Sequence, residues 1–234
     1  MEYQGYFITG TDTGVGKTVI TAGLLGALRG RNIDAVAIKP IQSGGSMDAA
    51  FYCAVNALPY SPEELTPVCL DPALAPAVAA METGFTIDLA KVMEHFYQMT
   101  GKHKMILVEG AGGLLVPLVG TQVTVADLAK DMGLPLLIVA RPSLGTINHT
   151  CLTVAFARSR GLAVAGIIIN GYPYENPGLA ERTNPQIIEK MTGVPILGLV
   201  PIVKGLKNEG AEQEPGELIS VIEKFVDMDK LLGK

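Results

Sequence analysis

The nine residues GTDTGVGKT, from Gly10 to Thr18, decide the fold of this chain. They follow a short apolar run, Tyr6–Thr9, and lead into a helix-like stretch, Lys17–Arg29. A strand, a glycine-rich turn and a helix in this order are the setting of a nucleotide phosphate loop. Backbone N–H groups in the turn and the positive end of the helix dipole both favour phosphate there. The stretch therefore predicts a site for ATP or GTP.

Individual residues of this loop fit the chemistry of a bound nucleotide. Gly14 and Gly16 carry no Cβ, so the backbone can approach the phosphates closely. Lys17 can reach the β and γ phosphates, and the hydroxyl of Thr18 can bind Mg²⁺. The strict pattern G-x-x-x-x-G-K-[ST] is not met, because Thr11 stands at its first position and the nearest glycine lies one residue earlier.

Composition predicts a cytoplasmic α/β enzyme, and because no linker separates two apolar cores we expect a single domain over residues 1–234. The net charge of −5 offers no broad positive surface for nucleic acid or an anionic membrane, so we expect neither partner. Three widely spaced cysteines without a C-x-x-C motif argue against a zinc site or a disulfide framework and favour a reducing compartment. The first residues do not resemble a signal peptide, and each apolar run is too short to span a bilayer.

Apolar runs of strand length alternate with segments of helix length. The strand candidates are Tyr6–Thr9, Ala35–Lys39, Met105–Glu109, Leu136–Ala140, Val164–Asn170 and Ile196–Val200. The helix candidates are Lys17–Arg29, Asp48–Ala57, Asp88–Thr100, Val123–Met132, Ile147–Arg160, Asn184–Met191 and Glu217–Leu232. Strands that are apolar throughout are typical of sheets covered on both sides. The pattern therefore predicts a mostly parallel sheet with helices on both faces, as in phosphate-loop NTPases.

Three segments need a separate interpretation. Leu58–Gly84 is rich in proline and alanine and reads as a long connection that could cover a ligand. Lys204–Gly216 is predicted to be mobile. The last helix, Glu217–Leu232, has apolar residues at helical spacing and balanced charges, so we expect it to pack on the core rather than on a membrane.

Residues that directly follow the strands are the next candidates, since ligands bind at the carboxyl ends of parallel strands. Glu109 ends one apolar run, where phosphate-loop enzymes keep a carboxylate for Mg²⁺; the alternative is a solvated residue that starts a glycine turn. Lys39 ends another run and can direct a cation at phosphates or an anionic substrate; the alternative is a surface lysine that caps a strand. Two cations, Lys17 and Lys39, favour an enzyme that stabilises a second anion.

Together these motifs resemble the dethiobiotin synthetase family. The resemblance rests on GTDTGVGKT, Lys39-Pro40 with Ser43-Gly44, VEGAGG from Val108 to Gly113, and GTINHT from Gly145 to Thr150. It runs from the first strand to about Val203, and the early glycine of the phosphate loop belongs to the family pattern. The resemblance implies an ATP- and Mg²⁺-dependent cyclo-ligase of biotin biosynthesis that acts as a homodimer. Its substrates would be 7,8-diaminononanoate, CO₂ or bicarbonate, and ATP.

The resemblance also assigns roles to single residues. Lys17 and Lys39 would be catalytic and clamp the phosphoryl and carbamate oxygens. Thr13, Ser43 and Asn148 would bind the diamine, with Asn148 holding its tail carboxylate across the dimer interface. Thr18, Asp48 and Glu109 would bind Mg²⁺. Nucleotide binding would fall to Thr13, Gly14, Val15, Gly16, Lys17, Thr18, Glu109, Gly110, Ala111, Gly112, Asn170, Pro201, Ile202 and Val203.

The chain departs from the family pattern at three places. The loop between Ser43 and Asp48 is short, Gly14 stands where an acidic residue is frequent, and Asn170 is followed by Gly171 rather than Asp. Two other function classes share the loop and the strand order: an ATP-driven switch or scaffold of the cell-division and partitioning type, and an amide-forming ligase domain. Such switches carry an additional lysine early in the loop, and this chain has no lysine between Gly10 and Gly16.

Overall fold

The computed structural model describes residues 4–45, 47–203 and 215–233. The strands are β1 (Gln4–Gly10), β2 (Ala35–Ile38), β3 (Ile41–Ser43), β4 (Val68–Leu70), β5 (Met105–Glu109), β6 (Pro117–Val119), β7 (Val123–Thr124), β8 (Leu136–Ala140), β9 (Val164–Tyr172) and β10 (Ile196–Pro201). The helices are α1 (Lys17–Gly30), α2 (Met47–Asn56), α3 (Pro62–Leu65), α4 (Pro76–Thr83), α5 (Leu89–Lys102), α6 (Val125–Met132), α7 (Thr146–Ser159), α8 (Leu179–Thr192), α9 (Pro215–Phe225) and α10 (Met228–Leu231).

Six of the strands form one parallel sheet in the order β10-β9-β8-β1-β5-β2. All six predicted strands are present, and the predicted parallel sheet is confirmed. Strand β1 lies in the middle, where Ile8 pairs with Glu109 on one side and Gly10 with Val139 on the other. The chain passes from β5 to β8 across β1, so the strand order reverses there. Ligands of open α/β sheets bind at this reversal, beyond the carboxyl ends of the strands.

Neighbouring residues of the central strands bury their side chains on opposite faces of the sheet. One cluster contains Ile138, Ala140, Ile167 and Ile169 with Val154 of α7 and Ile188 of α8. A larger cluster contains Leu137, Val139 and Ile168 with apolar residues of α1, α2, α5, α6 and α9. Successive residues of a strand point to opposite faces. Helices therefore cover both faces, as the uniformly apolar strands predict.

The helix predicted over Val123–Met132 starts two residues later. Val123 and Thr124 form β7, which pairs with β6, and α6 begins at Val125. The carboxylate of Asp127 accepts hydrogen bonds from the backbone N–H of Thr124 at 2.8 Å and from its hydroxyl at 2.7 Å. This capping contact sets the start of the helix.

The single helix predicted over Glu217–Leu232 is wrong, because the structure has two helices there. Val226 forms a bridge with Gly198, and the backbone N–H of Asp227 donates to the carbonyl of Leu197 at 2.7 Å. These contacts with β10 interrupt the helix, and the Asp227 carboxylate then caps α10. The predicted packing on the core is confirmed, since Leu218 and Ile222 are buried.

Helix α8 is longer than the predicted Asn184–Met191, because it begins at Leu179. The prediction places Pro185 in the first turn, where proline is tolerated, whereas the structure has it in the second. The added turn is held by the Thr183 hydroxyl, which donates to the carbonyl of Leu179 at 2.9 Å, and by the Asn184 side chain, which donates to Pro142.

The predicted connection Leu58–Gly84 contains the short elements α3, β4 and α4. Strand β4 pairs with β3 in a separate two-stranded sheet, and Leu65, Val68 and Leu70 are buried in the main core. Of the segment 204–216, predicted to be mobile, residues 204–214 lie outside the described part of the chain. Within the described ranges, every helix is too short or too polar to cross a membrane.

Candidate functional site

The phosphate loop connects β1 to α1 at the strand-order reversal. Gly16 precedes α1 with a φ of 91°, a backbone conformation that side chains with a Cβ rarely adopt. The backbone N–H of Gly10 donates to Gly112, and that of Thr11 donates to Val139. The Asn170 side chain donates to the carbonyl of Val15 at 3.0 Å. The loop is thus held from three neighbouring strands.

Lys17 lies beneath this loop with its side chain buried. Its ammonium group donates to the carbonyl of Asp12 at 3.3 Å. Burial lowers the pKa of Lys17, and nearby Glu109 partly offsets that effect. A bound phosphate would favour the charged ammonium in the same way as Glu109. The position therefore fits the predicted contact with nucleotide phosphates.

Lys39 does not lie at the surface, and the alternative of a strand-capping surface lysine is wrong. Its side chain is only 8% exposed, and its ammonium group donates to Oε1 of Glu109 at 2.9 Å and to the carboxylate of Asp48. Burial opposes the charge of Lys39, but Glu109 and Asp48 outweigh it, so the pKa is raised. The structure thus places a permanent cation between two carboxylates.

The carboxylate of Glu109 accepts hydrogen bonds from three side chains, and the Glu109 side chain is 1% exposed. Its Oε1 accepts from the hydroxyl of Thr18 at 3.0 Å as well as from Lys39. Its Oε2 accepts from the hydroxyl of Tyr52, which is fully buried. Burial, with the negative charges of Glu109 and Asp48, raises the pKa of Tyr52 well above its usual value, so Tyr52 stays a neutral donor. A solvated Glu109 is therefore ruled out.

The oxygen atoms around Lys39 fit the predicted Mg²⁺ site. The ammonium group of Lys39 contacts the carboxylates of Asp48 and Glu109. The hydroxyl of Thr18 contacts Glu109, so one hydroxyl and two carboxylates lie together. In the described ranges, no cluster of three His, Cys, Asp or Glu side chains could hold a metal by itself. Mg²⁺ does not require such a cage, since it binds one or two carboxylates together with phosphate oxygens and water.

The other predicted nucleotide contacts line the same edge of the sheet. The turn of Gly110, Ala111 and Gly112 lies against the phosphate loop, and an added Cβ on Gly113 would lie 3.1 Å from the carbonyl of Gly10. At the far side, Ile202 is exposed beyond β10, and a Cβ on Gly171 would lie 3.8 Å from it. Asn170 and the segment Pro201–Val203 therefore lie side by side, as expected for a base-binding edge.

The predicted substrate residues are less closely grouped. The Ser43 hydroxyl donates to the carbonyl of Leu74 at 2.6 Å. Asn148 is exposed on the first turn of α7, whereas Thr13 lines a cavity of about 430 Å³. The described lining of this cavity is Gly10, Thr11, Asp12, Thr13, Gly113, Leu114, Leu115, Val116, Pro117, Leu152, Thr153 and Phe156. Ser43 and Asn148 are not part of that lining.

Two contacts of the site were missed by the sequence interpretation. Tyr52 lies four residues after Asp48, one helical turn, and this spacing is the signal that could have found it. Arg141 directly follows β8, where the strand-end rule applies equally. Its guanidinium donates to Asp12 Oδ2 at 3.1 Å and to the carbonyl of Thr13 at 3.4 Å, which ties the phosphate loop to β8.

Known relatives match nearly the whole chain. A family model described as "AAA domain" matches residues 4–210. The "ATP-dependent dethiobiotin synthetase BioD" of Bacillus velezensis is 42% identical over 235 residues, which are 98% of this chain and 97% of that protein. The protein of the same name from Bacillus licheniformis is 40% identical, over 99% of this chain and 97% of its own. The protein of the same name from Bacillus subtilis strain 168 is 44% identical, over 88% of this chain and 90% of its own.

Solved structures with a similar fold include cell-division and partitioning proteins. The "MinC:MinD cell division protein complex" of Aquifex aeolicus matches with a TM-score of 0.66 and 17% identity, over 99% of this chain and 96% of that one. A ParA family ATPase from Chlorobium tepidum matches with a TM-score of 0.57 and 17% identity, over 98% and 99%. At this identity the likeness shows the fold alone.

The sequence relatives, in contrast, share about two fifths of their residues with this chain over most of its length. They favour the predicted ATP-dependent ligase over the ATP-driven switch, which the structural likeness does not support beyond the fold. This chain belongs to the ATP-dependent dethiobiotin synthetase family.

Proposed function

We propose that the chain converts 7,8-diaminononanoate, CO₂ and ATP into dethiobiotin, ADP and phosphate in an Mg²⁺-dependent reaction. Membership of the family supports the reaction, and the cavity beside the phosphate loop is the observation that carries it for this chain. One wall of the cavity is the phosphate loop itself, Gly10–Thr13. The other wall is apolar, with Leu114, Val116 and Phe156 among its residues. The diamine is an aliphatic chain with two amines at one end. We place the amines against the phosphate loop and the aliphatic chain against the apolar wall.

In the proposed reaction, one amine adds to CO₂ and loses a proton, which gives a carbamate. A carbamate oxygen attacks the γ phosphorus of ATP, and ADP leaves. The second amine then attacks the carbamate carbon and gives up a proton to water, phosphate leaves, and the cyclic urea closes. The phosphoryl transfer brings two anions together, the carbamate and the γ phosphate, and the nearby ammonium groups of Lys17 and Lys39 neutralise their charge. The wall of the cavity holds the diamine in line with the phosphate, which makes the attack effectively intramolecular.

We assign Mg²⁺ binding to Thr18, Asp48 and Glu109. The bound ion would supply positive charge to the β and γ phosphate oxygens. Asn170 and Pro201–Val203 would hold the adenine base, and the turn from Gly110 to Gly112 would flank the phosphates. We further propose that the enzyme acts in the cytoplasm as a single-domain homodimer without nucleic-acid or membrane partners.

We expect ATP turnover to depend on the diamine. Phosphate release would be measured with ATP, Mg²⁺ and bicarbonate, in the presence and absence of 7,8-diaminononanoate. The synthetase should release phosphate at a substantial rate only with the diamine, since the carbamate is the phosphoryl acceptor. Nonanoate is the matched control and should give no phosphate release, because it has the same chain and carboxylate but no amine that could form a carbamate. Equal rates with and without diamine would instead point to the ATP-driven switch.

Asn148→Ala is expected to raise the Michaelis constant of the diamine and to leave ATP affinity unchanged. Asn148 lies on the exposed first turn of α7, where backbone N–H groups favour a carboxylate, and α7 also lines the cavity through Leu152 and Phe156. The remote carboxylate of the diamine does not take part in the reaction. Loss of the Asn148 contact with this carboxylate should therefore weaken substrate binding rather than slow the chemical step. Initial rates at varied diamine concentration and calorimetry with an ATP analogue measure the two quantities.

Mixing the Asn148→Ala and Lys17→Ala proteins tests the assignment across the dimer interface. If each site takes Asn148 from the partner subunit, a mixed dimer has one site with both changes and one intact site. Activity should then recover on mixing, to at most about half of the wild-type value per mixed dimer. Subunit exchange is verified by mass spectrometry. Exchange without recovery would contradict the shared site.

A further inference from the structure

We propose that Tyr52 is a positioning residue that fixes the Glu109 carboxylate for a divalent cation; this rests on the proposed function. Tyr52 is 0% exposed, and its hydroxyl donates a hydrogen bond to Oε2 of Glu109. The two residues are 57 positions apart in sequence, on α2 and at the end of β5. A buried hydroxyl without a hydrogen-bond partner costs free energy, and the partner of the Tyr52 hydroxyl is the carboxylate of Glu109.

The two oxygens of Glu109 have different partners. Oε1 accepts from Thr18 at 3.0 Å and from Lys39 at 2.9 Å, so this oxygen faces the phosphate loop and the cation. Oε2 accepts from Tyr52 on the other side. A partial rotation of the carboxylate would turn its oxygens away from both sets of partners, and the hydrogen bond from Tyr52 opposes that rotation. The hydroxyl thereby keeps Oε1 directed at the place where a cation is held.

Helix α2 supplies both groups from one face. Asp48 and Tyr52 are one helical turn apart, and both reach the cluster of Lys39 and Glu109. The helix therefore sets the distance between its own carboxylate, Asp48, and the carboxylate of β5. Hydrogen bonds to the far side of metal-binding groups orient them, and their loss commonly costs about 10- to 100-fold in metal affinity.

A purely structural role is the competing explanation, since Tyr52 is also one of the largest fully buried side chains. Asn56 gives a matched comparison, because it lies on the same helix one turn further on. Its side chain donates to the carbonyls of Ala22 at 3.2 Å and Tyr52 at 3.1 Å. Asn56→Ala thus loosens the packing of α2 on α1 without removing a donor to Glu109.

Tyr52→Phe is the test, carried out on the full chain with Mn²⁺ as the probe and a non-hydrolysable ATP analogue present. Electron paramagnetic resonance of free Mn²⁺ gives the affinity without any turnover. We expect Tyr52→Phe to weaken Mn²⁺ binding by about 10-fold. The metal-free affinity for the analogue should change by less than about twofold, because the hydroxyl that Tyr52→Phe removes donates to Glu109 and not to the phosphate loop. Asn56→Ala should bind Mn²⁺ like the wild type.

Steady-state kinetics give a second readout. The Mg²⁺ concentration for half-maximal turnover should rise in Tyr52→Phe, while the rate at saturating Mg²⁺ stays close to that of the wild type. Tyr52→Met, which also fills the interior without a donor, repeats the test on a second side chain if the phenylalanine variant folds poorly.

Wild-type Mn²⁺ affinity in Tyr52→Phe, together with a thermal midpoint lowered as in Asn56→Ala, would overturn the proposal and leave Tyr52 as a packing residue. If the wild-type protein itself bound no Mn²⁺ with the analogue, the metal site of the proposed function would fail, and this inference with it. If Mn²⁺ bound as expected but no dethiobiotin formed, the reaction would be wrong while the role of Tyr52 stood.

Discussion

Lys39→Ala should reduce turnover by roughly 10²-fold or more and largely spare ATP affinity, the effect of one lost charge-stabilising donor. The ammonium group of Lys39 contacts Glu109 and Asp48, not the phosphate loop. Lys17→Ala should weaken ATP binding as well as turnover, because Lys17 lies under the loop and contacts the carbonyl of Asp12. We therefore expect Lys17 to contribute to ATP binding before the reaction begins, and Lys39 to act mainly on the reaction itself.

Isothermal titration calorimetry with a non-hydrolysable ATP analogue separates the two variants, and phosphate release gives the turnover. Removing a buried cation leaves Glu109 and Asp48 as facing carboxylates, so stability must be followed too. Lys39→Met keeps most of the side-chain volume and serves as the control for packing. A loss of nucleotide affinity in Lys39→Ala as large as that in Lys17→Ala would contradict this division of roles.

The sequence predicts the part of the site that local motifs and the sheet determine. The phosphate loop follows from a strand, a glycine turn and a helix in order. The convergence of Thr18, Lys39 and Glu109 follows from the rule that carboxyl ends of parallel strands share one edge. In the structure, Thr18 and Lys39 both donate hydrogen bonds to Glu109. Asp48, which the family resemblance implies as a ligand of Mg²⁺, joins the same cluster.

Contacts that depend on tertiary packing could not be predicted in this way. Tyr52 reads as an apolar core residue of α2, and its hydroxyl acquires meaning only when β5 brings Glu109 to it. The break of the last helix at Val226 depends on a bridge to β10, although the segment alone has a continuous helical pattern. Helix α8 begins before the expected residue, and the Asn184 side chain donates to the carbonyl of Pro142, which is distant in sequence. In each case a distant partner overrides the local signal.

Gly16→Ala should weaken binding of the ATP analogue by roughly 10²-fold, from two causes of similar size. Gly16 has a φ of 91°, and a left-handed conformation costs a residue with a Cβ about 1–2 kcal/mol. In addition, the new Cβ would lie 2.0 Å from Nδ2 of Asn170, so that side chain must move. Its hydrogen bond to the carbonyl of Val15 would then be lost.

Gly14→Ala is the matched control for this prediction. Gly14 has a similar φ of 72°, but among the described residues no atom lies within 4 Å of an added Cβ. It should therefore lose only about 10-fold or less in affinity, because the collision with Asn170 is absent. The double variant Gly16→Ala with Asn170→Ala should be less impaired than the sum of the single changes, since the smaller side chain relieves the collision. Equal losses in Gly14→Ala and Gly16→Ala, or strict additivity in the double variant, would show that Asn170 does not constrain the loop.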